Sequence, residues 1–405
     1  MQDAETKIPF WILPIIVFSQ FAGGSLWFAG NAILADLQSQ WNIGSGAVGS
    51  ITSAVQFGFI TGTLCFAFFA ISDKFSPRKV FFGCSIFGAI SNLLVFVIPH
   101  DLYPLLVLRF MTGFFLAGIY PIGMKIAAGW YQKKLGNAIG LLVGALVLGT
   151  AFPHLLKSIG GSLPWKQVIL SVSVLSPFGG LLVFWLVPDG PYITKGTKFD
   201  PKSSYRVFKP TDFRAASFGY FGHMWELYTF WAFVPVLLGI YTSRSSLSIN
   251  IPFWSFIVIA VGSLGCAIGG LISLKVGSAK VAFTQLLLSG ICCLLSPFLF
   301  SAPPEIFIGF LIFWGIVVVG DSPQYSAISA RTAPKELVGT GLTIMNCIGF
   351  AITILSIQFV NYLTVHINEN YWLLVLAMGP LLGLISLRPL LRESNLLESS
   401  KPGNR

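Results

Sequence analysis

The feature that most constrains this chain is a set of long apolar runs separated by short polar breaks. There are twelve, at roughly 10–34, 46–70, 80–99, 103–129, 136–157, 166–187, 215–240, 251–274, 281–301, 305–330, 337–364 and 370–390. A helix rises 1.5 Å per residue, so about twenty apolar residues span the ~30 Å hydrocarbon core of a bilayer. Hydrocarbon offers no partner to a free N–H or C=O, so each run must close its backbone hydrogen bonds internally, as a helix. The expected fold class is all-α integral membrane, with twelve transmembrane helices. Composition agrees: 55% of residues are hydrophobic and 10% charged, against about 25% charged in soluble domains. The breaks carry Pro, Gly, Ser or charge, as in Pro99-His100-Asp101 and Pro334-Lys335-Glu336.

The N-terminal MQDAETK is acidic and precedes about 25 apolar residues. That run is too long and wrongly flanked for a cleaved signal peptide, so it reads as the first span. The six cysteines, Cys65, Cys84, Cys266, Cys292, Cys293 and Cys347, all lie in apolar runs without metal-ligand spacing. They read as small packing residues.

Basic residues set the orientation. With the N-terminus inside, 21 of the 25 Lys and Arg fall on inner segments, and only Arg109, Lys157, Lys166 and Arg244 fall in outer halves or loops. Cytoplasmic loops collect Lys and Arg, so both termini are expected in the cytoplasm. The net charge of +10 is then a consequence of topology and not a nucleic-acid footprint.

The longest hydrophilic stretch, 188–214, lies between the sixth and seventh runs. It divides the chain into a six-helix bundle at 1–187, a cytoplasmic linker at 188–214, and a second six-helix bundle with a short cytoplasmic tail at 215–405. The halves repeat. SDKFSPRKV (72–80) aligns with SLKVGSAKV (273–281) at an offset of 201, and GFFLAGIYP (113–121) with GIVVVGDSP (315–323) at an offset of 202. Two parallel six-helix repeats imply pseudo-symmetric bundles with a binding site at the midplane between them, opened to each side in turn.

SDKFSPRKV resembles the loop between helices two and three of the major facilitator superfamily, and LRFMTGFFLAG (108–118) resembles that family's fourth-helix motif, with Arg109 at the arginine position. The resemblance covers essentially the whole chain. HMWELY in the seventh run is similar to bacterial efflux-permease-like members. The chain departs from the pattern at Phe69 and Ser76, where glycines are expected, and at Leu274, which replaces the acid in the second repeat. The fifth run has Gly136, Gly140, Gly144 and Gly149 but lacks the Gly-Pro pair of drug exporters. The resemblance implies a gating loop of Asp73, Lys74, Arg78 and Lys79, with the acid facing a helix N-terminus that favours it. The alternative is ordinary positive-inside loop charge.

Ionisable residues inside a bilayer cost about 2.5–3.5 kcal/mol each on insertion scales and mark pathways. The candidates for proton coupling or substrate contact are Glu226, His223, Asp321 and Arg109. Glu226 lies near the middle of the seventh run, with His223 one turn away on the same face. Apolar surroundings favour the neutral form of a carboxyl group, and histidine titrates near neutrality; both suit a proton carrier. The competing reading is a structural hydrogen bond between helices. Asp321 sits in GDSPQYS beside a proline that frees a backbone carbonyl. Arg109 can pair with an acid or attract an anionic group. Lys125 can snorkel to the interface, as can Lys157, near His154 at the outer end of the fifth run. Cavity-lining candidates are Gln20, Trp27, Asn31, Gln56, Tyr228, Gln324 and Asn346. Inter-helix hydrogen bonding or packing is the alternative for each.

The sequence has no HExxH, CxxC, GxSxG or P-loop. It therefore reads as no enzyme, with no cofactor and no metal, and any uphill work must draw on an ion or substrate gradient. The expected function is a secondary active transporter in the bacterial cytoplasmic (inner) membrane. It would move a small polar or amphiphilic solute by alternating access, with protons and the lipid bilayer as its other partners, as a monomer. One alternative is a multidrug or metabolite exporter with a largely apolar cavity. Another, of a different class, is a non-transporting sensor or complex subunit.

Overall fold

The computed structural model describes residues 8–44, 46–131, 135–159, 164–193, 199, 204–245 and 248–399, with 204 and 392–399 as backbone only. Of the basic residues assigned inside, Lys7, Lys133, Lys134, Lys195, Lys198, Lys202, Lys401 and Arg405 lie outside that set. So does much of the 188–214 linker.

The described residues form helices and connecting turns, without a strand. The first apolar helix is α1 (Ile12–Gly24), and eleven more are long and apolar enough to cross a bilayer. In chain order these are α2 (Ala47–Phe68), α3 (Pro77–Phe96), α4 (Leu102–Trp130), α5 (Leu135–Ser158), α6 (Trp165–Leu186), α7 (Thr211–Ser245), α8 (Ile251–Val276), α9 (Ser278–Ser301), α10 (Pro304–Thr332), α11 (Lys335–His366) and α12 (Trp372–Leu391). The molecule is an integral membrane protein. Its large apolar side chains point outward as well as inward: Phe57, Trp185 and Leu274 are 57%, 70% and 72% exposed. Lipid tails solvate such residues without penalty.

Four of the spans are interrupted: α8 at Val261, and three others at places that the sequence marks. The first run is not one helix. It stops at Gly24, turns through 25–28, and resumes as Ala29–Ala32 and Leu34–Trp41. Gly23-Gly24 has poor helix propensity, and Ser25 Oγ donates to Ala22 O at 2.7 Å, diverting a helix carbonyl. α4 breaks between Leu116 and Tyr120, and α10 between Val317 and Ser322. Pro121 and Pro323 lack the N–H that would close onto Ala117 and Val319. These are the aligned prolines of the two repeats, so a repeated sequence makes a repeated break.

Packing follows small residues. α2 lies against α4, where a Cβ on Gly58, Gly62 or Gly113 would run into the carbonyl oxygens of Phe110, Phe114 or Val55. The missing side chains let the two backbones touch. α1 packs on α5 and α6, and α7 on α10, α11 and α12. The most extensive contacts between the first six spans and the last six are α2 with α11 and α5 with α8; α5 with α10 and α2 with α7 add smaller ones.

Candidate functional site

Where the two sets of spans meet, six aromatic side chains form a continuous layer. Trp27 and Phe28 come from the break after α1, Phe59 from α2, Tyr228 and Trp231 from α7, and Phe350 from α11. All are at most 4% exposed. Trp27 stacks on Tyr228 at 5.6 Å and 23° and on Phe350 at 5.7 Å and 26°. Phe59 packs on Trp27 at 5.0 Å and Phe350 at 4.5 Å, and Trp231 meets Phe28 and Tyr228 edge-on. The break in α1 is what turns Trp27 and Phe28 into this layer.

Cavities lie on both sides of it. Toward the Asp73 end is one of about 250 Å³, lined by Thr63, Tyr120, Met124, Tyr220, Ser322 and Asn346. Nearer the surface is one of about 400 Å³, lined by Asp73, Lys125, Tyr192, Phe199 and Thr343. At the opposite, Asp36 end is one of about 370 Å³, lined by Asn31, Asp36, His154, Lys157 and Pro235. Along α7 the order is Tyr220, the layer, then Pro235, so the rings separate the two sides.

The Asp36 end is tied together. Gln358 on α11 donates to Ser53 Oγ on α2 at 2.8 Å, Asn361 to Gly46 O at 3.3 Å, and Asn250 before α8 to Ser158 O at 3.4 Å. Between α5 and α8 the gap widens toward the other end. A Cβ on Gly144 would meet Ser263 O at 3.6 Å, one on Gly140 would meet Cys266 O at 3.9 Å, and one on Gly136 would meet nothing within 4 Å. The glycine ladder is a wedge that opens on the Asp73 side.

Ionisable groups take partners that sequence spacing did not indicate. His223 and Glu226, both 1% exposed, face different neighbours. His223 Nδ1 lies 2.8 Å from Asp321 Oδ1, at the break in α10. Tyr220 and Ser322, one turn and one residue away, line the 250 Å³ cavity, so the pair sits just behind its wall. Glu226 accepts from Trp314 Nε1 at 2.6 Å, Ser289 Oγ at 2.8 Å and Cys293 Sγ at 3.3 Å, bridging α7 to α9 and α10. Arg109 is fully buried. It finds neither an acid nor an exposed anion site, and instead donates through Nη2 to Asn92 Oδ1 and Thr112 Oγ1. Its Nε and Nη1 have no partner among the described residues.

At the loop between α2 and α3, Asp73 Oδ1 lies 2.5 Å from Lys125 Nζ, which also reaches Ser72 O at 2.8 Å. Lys125 thus turns inward to an acid, not outward to the interface. Arg78 donates to Phe184 O and approaches Asp189, which also accepts from Ser76. Lys74 and Lys79 are exposed. Asn31 donates to Thr52 Oγ1 at 2.7 Å, Gln324 is buried, Asn346 lines the 250 Å³ cavity, and Gln20 and Gln56 are buried with both amide atoms unpartnered among the described residues. Lys157 pairs with Asp36 Oδ2 at 2.5 Å.

The residues that sequence reasoning passed over are Phe59, Phe350, Trp314, Asp36 and Asp189. The first three are apolar among apolar neighbours and carry no signal in the sequence. Asp36 did carry one, as an acid directly after an apolar run. No group of three or more His, Cys, Asp or Glu among the described residues could hold a metal ion.

The family model described as Major Facilitator Superfamily matches residues 15–357. The chain belongs to the major facilitator superfamily. Members of this superfamily are membrane transporters, and the solved structures agree on the fold. The proton:xylose symporter XylE, bound to 6-bromo-6-deoxy-D-glucose, superposes with a TM-score of 0.74 at 11% identity, over 94% of this chain and 95% of that one. The human organic anion transporter MFSD10 (TETRAN) gives 0.69 at 16% identity, over 94% and 100%. Among curated proteins, the MFS-type transporter acdC of Aspergillus candidus is 29% identical over 160 residues, which is 38% of this chain and 30% of that relative. Interrupted segments at corresponding positions of two repeats recur among secondary transporters; in this chain they are the breaks in α4 and α10.

Proposed function

We propose that this superfamily member is a proton-coupled secondary transporter of a small amphiphilic solute. It works by alternating access between two six-helix bundles, 1–187 and 215–405, joined by the 188–214 linker. The distribution of Lys and Arg supports an orientation with the Asp73 end and both termini on the cytoplasmic side. The conformation described above is then open toward the cytoplasm and closed outside.

The observation that carries the coupling is the buried His223–Asp321 contact behind the cavity wall. With one proton held between them the pair is neutral overall, either as imidazolium and carboxylate or as two neutral groups. Without that proton a bare carboxylate remains in an apolar site, which is costly. In this reading the pair takes up and gives up the coupling proton as the cavity beside it opens and closes. Glu226, with its oxygens engaged by α9 and α10, ties α7 to those helices. The solute occupies the space between the aromatic layer and the 250 Å³ cavity.

The deciding experiment places the purified chain in tight proteoliposomes with an internal pH indicator. A solute driven down its gradient should acidify or alkalinise the lumen in step with its flux. Flux without any pH change removes the coupling, and expulsion of lipophilic cations alone favours the exporter with an apolar cavity.

The Asp73–Lys125 contact belongs to the gating loop in this reading. Asp73→Asn and Lys125→Gln should each change the ratio of inward- to outward-accessible protein by about fivefold, the worth of roughly 1 kcal/mol in a partly buried ion pair. The double variant should match either single one, because both remove the same contact. Site-directed thiol labelling from each side reads the ratio. Additive effects would separate the two residues.

A further inference from the structure

We infer that the solute accepted at the aromatic layer is a flat, uncharged aromatic or heteroaromatic molecule bearing an amide-like group. This rests on the transporter reading above and adds to it the chemistry of the ligand. Three features of the layer point there.

The first is the geometry of the rings. Trp27 belongs to the first six spans, whereas Tyr228 and Phe350 belong to the last six; the Trp27 plane lies within 26° of each of theirs, and they are tilted by 47° to each other. The flat face at the joint is therefore that of Trp27, stacked against two rings of the other half. When the halves separate, that face is freed, and a planar ring restores the stacking it loses.

The second is a set of polar atoms left without partners among the described residues. Gln56 is fully buried, yet neither its amide nitrogen nor its oxygen is bonded. It lies one helical turn from Phe59, on the same face of α2. Gln20, fully buried on α1, is in the same condition, and the indole N–H groups of Trp27 and Trp231 are also unpaired. Buried polar groups in native proteins are ordinarily paired, so an unpaired carboxamide beside a transport layer is poised for a ligand. Its complement offers an acceptor next to a donor, as an amide or lactam does.

The third is charge. Glu226 is engaged by three donors, and His223 and Asp321 compensate each other, so no free carboxylate awaits a cation. Arg109, whose Nε and Nη1 lack partners among the described residues, is held through Nη2 on α3 and α4, which contribute no ring to the layer.

The test is equilibrium dialysis of the full purified chain with radiolabelled 2-naphthamide. Unlabelled decahydronaphthalene-2-carboxamide and 2-naphthoate serve as competitors. The flat amide should bind about tenfold more tightly than its saturated counterpart and than the anion. Trp27→Leu should erase the flat-over-saturated preference, while Trp27→Phe, which keeps a ring, should retain it. Gln56→Leu should weaken 2-naphthamide by about fivefold, as expected for one lost hydrogen bond. Equal binding of the flat and saturated amides, or a preference that survives Trp27→Leu, overturns the assignment. Binding is measured without a membrane or a proton gradient, so loss of coupling and loss of recognition are read separately.

Discussion

Asp321→Asn should abolish uphill accumulation while leaving downhill exchange of solute. In proteoliposomes with an imposed proton gradient, the steady-state ratio of internal to external solute should fall to about one. Without a titrating pair, no free energy passes from proton to solute. The variant should remain folded, because asparagine is neutral and can still face His223 across the 2.8 Å contact. His223→Leu should behave differently. It leaves the Asp321 carboxylate buried without its partner, a loss of about 3–5 kcal/mol, so thermal stability should fall along with activity. If Asp321→Asn accumulates solute as well as the parent protein, the pair is a structural link between α7 and α10 and the coupling site lies elsewhere. Glu226→Gln is the informative companion. Its oxygens accept from Trp314, Ser289 and Cys293, and glutamine keeps one acceptor oxygen but brings an amide against one of those donors. Its effect should be a weakened joint of α7 with α9 and α10, read as lower stability with coupling retained.

The second large effect is expected at the crossing of α2 and α4. Gly113→Leu drives a side chain into the carbonyl of Val55, and Gly58→Leu drives one into the carbonyl of Phe110. Neither neighbour is a flexible side-chain end that can move aside. Overpacking a tight site costs about 3 kcal/mol, so the unfolding midpoint of a chain of 405 residues should fall by about 4 °C. Gly309→Leu is the control, since a side chain there meets nothing within 4 Å and faces lipid. A fluorescence-based thermal unfolding series in detergent measures all three. Equal midpoints for Gly113→Leu and Gly309→Leu would show that the backbones do not depend on that approach.

Much of this protein could be read in the residues themselves. The all-α membrane fold follows from run length, because hydrocarbon leaves a twenty-residue apolar segment no alternative to the helix. The breaks in α4 and α10 lie beside Pro121 and Pro323, whose rings each remove a hydrogen bond; Pro153, Pro177 and Pro235 remove one too, yet α5, α6 and α7 stay continuous, so packing decides which proline breaks its helix. The family could be read from short motifs that carry charge into loops. The membrane fold and the motifs are local consequences, fixed by a few neighbouring residues.

Partnership was different. A spacing of three put His223 and Glu226 on one face of α7, which made them look like a pair. A helix face is wide enough for two neighbours, though: Glu226 reaches Ser289 and Cys293 on α9 and Trp314 on α10, while His223 meets Asp321 at the break in α10. Lys125 looked able to reach the interface, and only the approach of α4 to the 72–73 turn showed it bound to Asp73. Phe59 and Phe350 are two of 37 phenylalanines, and nothing in their surroundings along the chain distinguishes them. The sequence by itself determined that the chain crosses the membrane as helices and which residues bring charge into them. Only the tertiary structure decided which charges meet and which rings close the path. Those contacts depend on how each helix is rotated against its neighbours, and that rotation is fixed by packing among residues far apart in the chain.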